Sequence, residues 1–186
     1  MRRWLLPALM IPLLLAGCGR SAAERKVDEM RAALRASAEI AVTADVTANL
    51  GDERFSCTLE CRTDAEKTTV EIIAPESVAG IRAVVSGDGT KIEYAGLSLG
   101  VGGWRPGTAP VTALPLLLTA LKSGSTLRTW TEWKGERTVF VLELYVTDDT
   151  TLCVWIDAAT TLPIHAEYSQ GGETLLRCEI KDFSYR

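Results

Sequence analysis

The chain has 186 residues, 47% of them hydrophobic and 24% charged, with a formal net charge of −4. That is long enough for one domain with a sizeable core, at the ordinary composition of a globular protein. The acidic balance, without a cluster of Lys and Arg, argues against a nucleic-acid partner.

Residues 1–17 read as a secretory signal to be removed, outside the fold. Arg2 and Arg3 form a basic start. Trp4 to Leu15 is apolar, interrupted by Pro7 and Pro12, and too short to span a bilayer comfortably as a helix. The run ends on Leu15-Ala16-Gly17-Cys18, which resembles the lipobox of bacterial lipoproteins. The resemblance implies a diacylglyceryl group on the Cys18 sulfur and cleavage after Gly17. Two acyl chains suffice for stable attachment, at about 0.8 kcal/mol for each buried methylene. The expected plan is therefore a leader (1–17), a lipidated tether (18–23) and a folded domain (24–186). The expected location is the outer side of a bacterial cell membrane, with the lipid on Cys18 holding the chain there.

The tether runs into a helix ending near Ser37. Val27, Met30 and Leu34 recur at three- and four-residue steps among charged residues, one apolar stripe on a solvated helix. The stripe is expected to pack on the outside of a sheet. The period then becomes two. Ile40, Val42, Ala44, Val46, Ala48 and Leu50 alternate with polar or small residues, and after Gly51-Asp52-Glu53 so do Phe55, Cys57, Leu59 and Cys61. A long antiparallel hairpin follows. Val70, Ile72 and Ala74 make a third strand, ended by Pro75, and residues 81–86 a fourth, closed at Gly87-Asp88-Gly89. Residues 91–99 supply a fifth and sixth, and 126–133 a weaker one. The clearest meander comes last, with strands around Phe140 to Val146, Leu152 to Ile156, Ile164 to Tyr168, and Leu176 to Ile180. No βαβ spacing is present, so the sheet is antiparallel, and ten or so strands in a row curl or split.

One segment breaks the pattern. Residues 100–110 are rich in Gly and Pro and read as a loop. In the stretch that follows, Leu114, Leu116, Leu117, Leu118 and Leu121 cover nearly all faces of a short helix, with Lys122 in its last turn and Gly124 at its end. A helix apolar all round must be buried on several sides, as in the mouth of a curved sheet.

The C-terminal stretch WIDAATTLPIHAEYSQGGETLLRCEIKDFSY resembles the last meander of the LolA/LolB-like lipoprotein-carrier superfamily. Asp157 ends a strand, Leu162-Pro163 starts the next, and Gly171-Gly172 turns the chain. IAPESVAGIRAVVSGDGTKIEYAGLSL is similar to that family's middle strands. The resemblance runs from about residue 24 to 186, and its pattern is nearest to membrane-anchored Gram-positive relatives, including germination lipoproteins. It implies a mainly β fold: an unclosed antiparallel barrel of about ten to eleven strands, with the N-terminal and leucine-rich helices plugging its concave face. It also implies that the concavity binds acyl chains of lipids or lipoproteins. The expected lining is Val46, Phe55, Leu59, Val70, Ile72, Ile92, Tyr94, Leu142, Leu144, Val154 and Ile156 from the strands. Leu114, Leu117, Leu118 and Leu121 supply a helical lid, hinged on the loop before it. Anchoring at Cys18 argues against a free shuttle and for a stationary holder. The alternative is an envelope interaction protein that docks an enzyme or regulator of sporulation, germination or stress sensing, without a lipid ligand.

Catalytic, metal and cofactor chemistry find no support in the motifs. His165, the only histidine, alternates with Ile164 and Ala166 and is expected to face solvent. No nucleophile motif accompanies it. Asp148-Asp149 suits a turn. Cys57 and Cys61 lie about 13 Å apart on an extended strand and cannot bridge each other. With Cys153 and Cys178 they read as buried thiols, a bridge between distant strands remaining open. Trp130 and Trp133 fall on opposite faces of their strand, and Trp104 in the loop is placed to meet membrane or ligand.

Overall fold

The computed structural model describes residues 20–51, 53–86, 89–101 and 109–186. The expected leader, Cys18, Trp104 and positions 102–108 of the expected hinge loop lie outside the described residues. The elements are α1 (Ala22–Ala36), β1 (Ile40–Leu50), β2 (Glu53–Thr63), β3 (Lys67–Ala74), β4 (Arg82–Ser86), β5 (Gly89–Tyr94), β6 (Leu97–Val101), α2 (Pro110–Ser123), β7 (Thr126–Lys134), β8 (Arg137–Thr147), β9 (Thr150–Asp157), β10 (Pro163–Gln170) and β11 (Glu173–Tyr185).

All eleven strands form one antiparallel sheet in the order β6-β5-β4-β3-β2-β1-β11-β10-β9-β8-β7. Each strand pairs with its neighbour in sequence except β6 and β7, and β11 returns to lie beside β1. That pairing puts the first and last strands at the centre and leaves β6 and β7, consecutive in sequence, at opposite edges. The sheet is thus unclosed, and α2 is the connection that crosses between its edges. Tight turns set the hairpins. Ala95 and Gly96 join β5 to β6 with φ of 48° and 82°, and Gly171 and Gly172 join β10 to β11 with φ of 59° and 89°. Positive φ at both central positions matches the right-handed twist of the flanking strands.

The two-residue period sorts side chains onto two faces. On the inner face Val46 lies between Cys57 and Cys178. Leu59 stands opposite Ile72, Leu142 opposite Val154, and Ala166 opposite Cys178. These residues join one apolar core with both helices. The N-terminus of α1 carries a capping box, in which the Glu24 N–H donates to Ser21 Oγ at 3.1 Å and the Ser21 N–H to the Glu24 carboxylate at 2.7 Å. Its stripe of Val27, Met30 and Leu34 is buried, but on the inner side of the sheet, against α2, β7 and β8. The outer-face position expected from the stripe alone is corrected here, and the helix lies where the resemblance implies, on the concave face with α2. An amphipathic stripe requires an apolar partner without saying which side of a curved sheet provides it, and the inner side offered α2 as well.

Helix α2 is embedded. Ala113, Leu114, Leu117, Leu118, Ala120 and Leu121 are all buried. Polar bonds hold it along its length. The fully buried Tyr168 of β10 donates its hydroxyl to Ala113 O at 2.6 Å. At the other end Arg31 of α1 reaches the unpaired carbonyls of the last turn. Its Nε donates to Leu121 O at 2.8 Å, one Nη to Gly124 O, and the other to Thr126 Oγ1 at 2.7 Å. Arg35 adds a bond to Lys122 O at 3.0 Å. Burial lowers the Arg31 pKa from its ordinary value, with the Arg35 charge acting the same way. A guanidinium has donors enough to satisfy three acceptors at once, and carbonyls at a helix C-terminus favour a cation. Gly124 is dictated by space. A Cβ there would lie 2.6 Å from Ala120 O, the atom that its own N–H binds at 2.8 Å.

Two substitutions test this clasp in urea unfolding. Arg31→Met is expected to cost about 3 kcal/mol, because it strands buried carbonyls. Tyr168→Phe is expected to cost about 1 kcal/mol, because Ala113 O keeps a helical partner.

Candidate ligand-binding face

Coverage divides the inner face into two parts. Under the helices it is a packed core. Val46, Leu59, Val70, Leu142, Leu144, Val154 and Ile156 are buried there against Leu114, Leu117, Leu118 and Leu121, with Ile72 beside them and Phe55 half-buried at the margin. The leucines of α2 are core residues here, clasped from both ends of the helix.

Among the described residues the cover runs out towards β6. Three cross-strand rows continue the inner face outward: Val70–Ala83–Ile92–Leu99, Thr68–Val85–Thr90, and Tyr94–Leu97, which lies beyond the bonded pair Ile72 and Ile81. Along the first row exposure rises from nothing at Val70 to 68% at Leu99, and Leu97 reaches 76%. Tyr94, expected in a cavity, is on the correct face but 49% exposed, and Ile92 is half-buried. Between this flank and the first turns of α2 lies a hollow of about 180 Å³, lined by Ala83, Val85, Thr90, Val111, Thr112 and Pro115. The available apolar surface therefore lies beside the helix. Sequence reasoning missed Val85, Leu97 and Leu99. The signal was one of size: α2 is about 21 Å long, while eleven strands span about 48 Å of arc.

The outer face carries the polar groups. His165 sits on it, as the alternation implies, yet is only 4% exposed. Its ring meets Trp155 edge-on, centroids 4.9 Å apart. Nε2 is 2.9 Å from Glu167 Oε1. Nδ1 is 3.0 Å from Glu179 Oε1, an ion-pair distance without hydrogen-bond geometry. The expectation of a solvent-facing histidine is corrected: neighbours on the adjacent strands roof it over, and its nitrogens face carboxylates. Nearby, Glu132 accepts from the indoles of both Trp130 and Trp155, at 2.6 and 3.1 Å, and Arg128 and Lys134 lie over those rings. Trp133 is on the opposite face from Trp130 and exposed.

Cys57, Cys61 and Cys178 are free and buried on the inner face, and Cys153 is free and half-buried on the outer one. Burial pushes Cys57 and Cys153 up to about 11 and Cys61 and Cys178 up to about 12, so all four are thiols at neutral pH. Among the described residues no group of three His, Cys, Asp or Glu is arranged to hold a metal ion. No helix among them is long and apolar enough to cross a membrane.

No protein-family model matches the sequence. No curated protein matches it either. Solved structures do match in fold. A DUF1329 family protein from Desulfovibrio piger aligns over 88% of this chain and 92% of its own, at 11% identity and a TM-score of 0.54. A putative outer membrane lipoprotein-sorting protein domain from Vibrio parahaemolyticus aligns over 88% and 93%, at 14% identity and 0.52. A LolA superfamily protein from Nitrosomonas europaea aligns over 90% and 94%, at 12% identity and 0.45. At these identities the matches show a shared fold, that of the Desulfovibrio and Vibrio structures; they do not single out the Gram-positive relatives.

The division of the inner face is measurable. Leu117→Ala is expected to cost about 3 kcal/mol by leaving a cavity, whereas Leu99→Ala should stay within about 0.5 kcal/mol. Acid should also destabilise the fold. The Thr160 and Ala159 N–H groups hold the Asp157 carboxyl below its ordinary value, against a desolvation effect that ranks between them. Burial alone would raise Glu167, but bonds from His165 and Arg177 outweigh it and lower that pKa too. Depressed folded-state values mean that this stability is whole above about pH 5 and is lost as pH falls through them. The urea midpoint should fall on acidification below that point, with a shallower fall in Asp157→Asn.

Proposed function

We propose that this chain is a lipid-anchored extracytoplasmic protein that holds an acyl chain, of a lipid or a lipoprotein, on the open inner flank between α2 and β6. The observation that carries the reading is the exposed apolar surface of Val85, Tyr94, Leu97 and Leu99, uncovered among the described residues and beside the hollow at Pro115. Apolar side chains left open on the inner side of a curved sheet favour a flexible hydrocarbon, at about 0.8 kcal/mol for each methylene buried. The name of the Vibrio neighbour, a lipoprotein-sorting domain, points the same way. The mechanism is reversible burial with no bond made or broken. Anchoring through Cys18 would keep the flank at the surface where such chains are supplied.

Full-length chain in its native membrane, treated with a photoactivatable fatty acid, should be labelled on peptides covering residues 83–99. Leu99→Asp should cut that labelling about tenfold, the effect of losing roughly two buried methylenes. Labelling confined to other peptides, or unchanged by the substitution, would overturn the ligand site. In the same cells Cys18→Ser should abolish incorporation of labelled palmitate; incorporation that persisted would overturn the anchor. A chain that took no fatty acid but retained a stoichiometric protein partner would favour the docking alternative.

A further inference from the structure

One side chain in the first inner row is out of scale with the rest. In Val70–Ala83–Ile92–Leu99 the other three positions carry branched chains, and Ala83 carries a methyl group. The hollow beside α2 lies against that methyl. Of the six residues lining it, Ala83 alone is buried, at 4% exposure, while Val85, Thr90, Val111, Thr112 and Pro115 are all more open. The hollow therefore deepens towards β4, and Ala83 is its floor. A larger side chain at that position would fill the space.

Volume decides how much can enter. About 180 Å³ is below the range of about 300–1,000 Å³ that encloses a whole small ligand. A dry apolar cavity of about 150 Å³ takes a guest the size of benzene, so the hollow takes about six carbons. Chemistry decides which end of a chain enters. None of the lining residues is charged. The start of α2 offers an anion little, because Pro110 has no N–H, and the Thr112 N–H and hydroxyl both donate to Ala109 O, at 3.0 and 2.7 Å. Arg82, Lys91 and Glu93 stand on the other face of β4 and β5, by the alternation of the strands. A carboxylate in the hollow would be buried without a partner, which is costly. A methyl end has no such cost.

Resting on the acyl-chain reading, we propose that the hollow takes the methyl end of a straight acyl chain and that Ala83 sets how far that end enters. About six carbons lie between β4 and the first turns of α2. The rest of the chain runs out over Ile92 and Leu99, with its polar head in water. Ala83 is thus a specificity-determining position: a longer side chain there shortens the hollow and leaves the open flank as it was.

Two photoactivatable hexadecanoic acids test this on the full-length chain, one with its diazirine near the methyl end and one with it beside the carboxyl. In the unaltered chain the methyl-end probe should label residues 111–115, and the carboxyl-side probe residues 94–99. With probe in excess, so that occupancy stays full, Ala83→Val and Ala83→Leu should lower the methyl-end label at 111–115 in that order. The fall should be about tenfold for leucine, as roughly two methylenes lose their enclosure. Carboxyl-side label at 94–99 should stay within about twofold in both. An unchanged urea midpoint would verify the fold. Val111→Phe narrows the same hollow from the helix side and carries the same expectation where Ala83→Leu fails to fold. Carboxyl-side label at 111–115, or methyl-end label there unchanged in the folded variants, would overturn the proposal. So would label at 94–99 from both probes with none at 111–115, a result that leaves the acyl-chain reading standing. No label on residues 83–99 or 111–115 from either probe would overturn that reading and this one with it.

Discussion

A 14-residue helix has to cover much of the inner face of an eleven-stranded sheet, and it is too small to do so. The remaining features follow from that mismatch. Where α2 and α1 reach, leucines meet valines and isoleucines with no exposure left, and the fold is held by packing. Where they do not reach, the same alternation of apolar residues continues onto β5 and β6 with little over it. One pattern of side chains thus serves as core at one end of a row and as surface at the other. Topology sharpens this. Because β11 pairs with β1, the two wings end at β6 and β7, and the connection between those edges is α2 itself.

The polar bonds around α2 give that helix its place. Leucines on every face make it adhesive without direction, since an apolar surface has no preferred orientation. Tyr168 and Arg31 supply orientation through bonds that only one position satisfies. Arg31 also ties α1, the first described helix, to the end of α2 and the start of β7. The mobility expected of a hinged lid is at odds with these bonds. The flank beside it needs no opening.

Much of this was legible in the residues. Alternation in Ile40 to Cys61 and in Phe140 to Ile180 located the long strands and their faces, because a period of two is a property of extended backbone. Five leucines around one short helix announced its burial. Periodicity says less about what covers a face. His165 alternates as an outer residue should, but its enclosure by Trp155, Glu167 and Glu179 arises from three strands and is invisible along one. Val27, Met30 and Leu34 marked a buried stripe without its side of the sheet. Leu97 and Leu99 read like any buried strand, and only the count of strands against the length of one helix separates them from Leu142 and Leu144.

The protected edge at β7 has a consequence of its own. Sheets with two adhesive edges polymerise, because every addition exposes a new edge equal to the last. A sheet whose second edge carries Arg128, Glu132, Lys134 and a bulge has a valence of one. Whatever strand it accepts at β6, growth ends there. In a crowded solution that is the difference between an assembly that closes on itself and the start of a fibre.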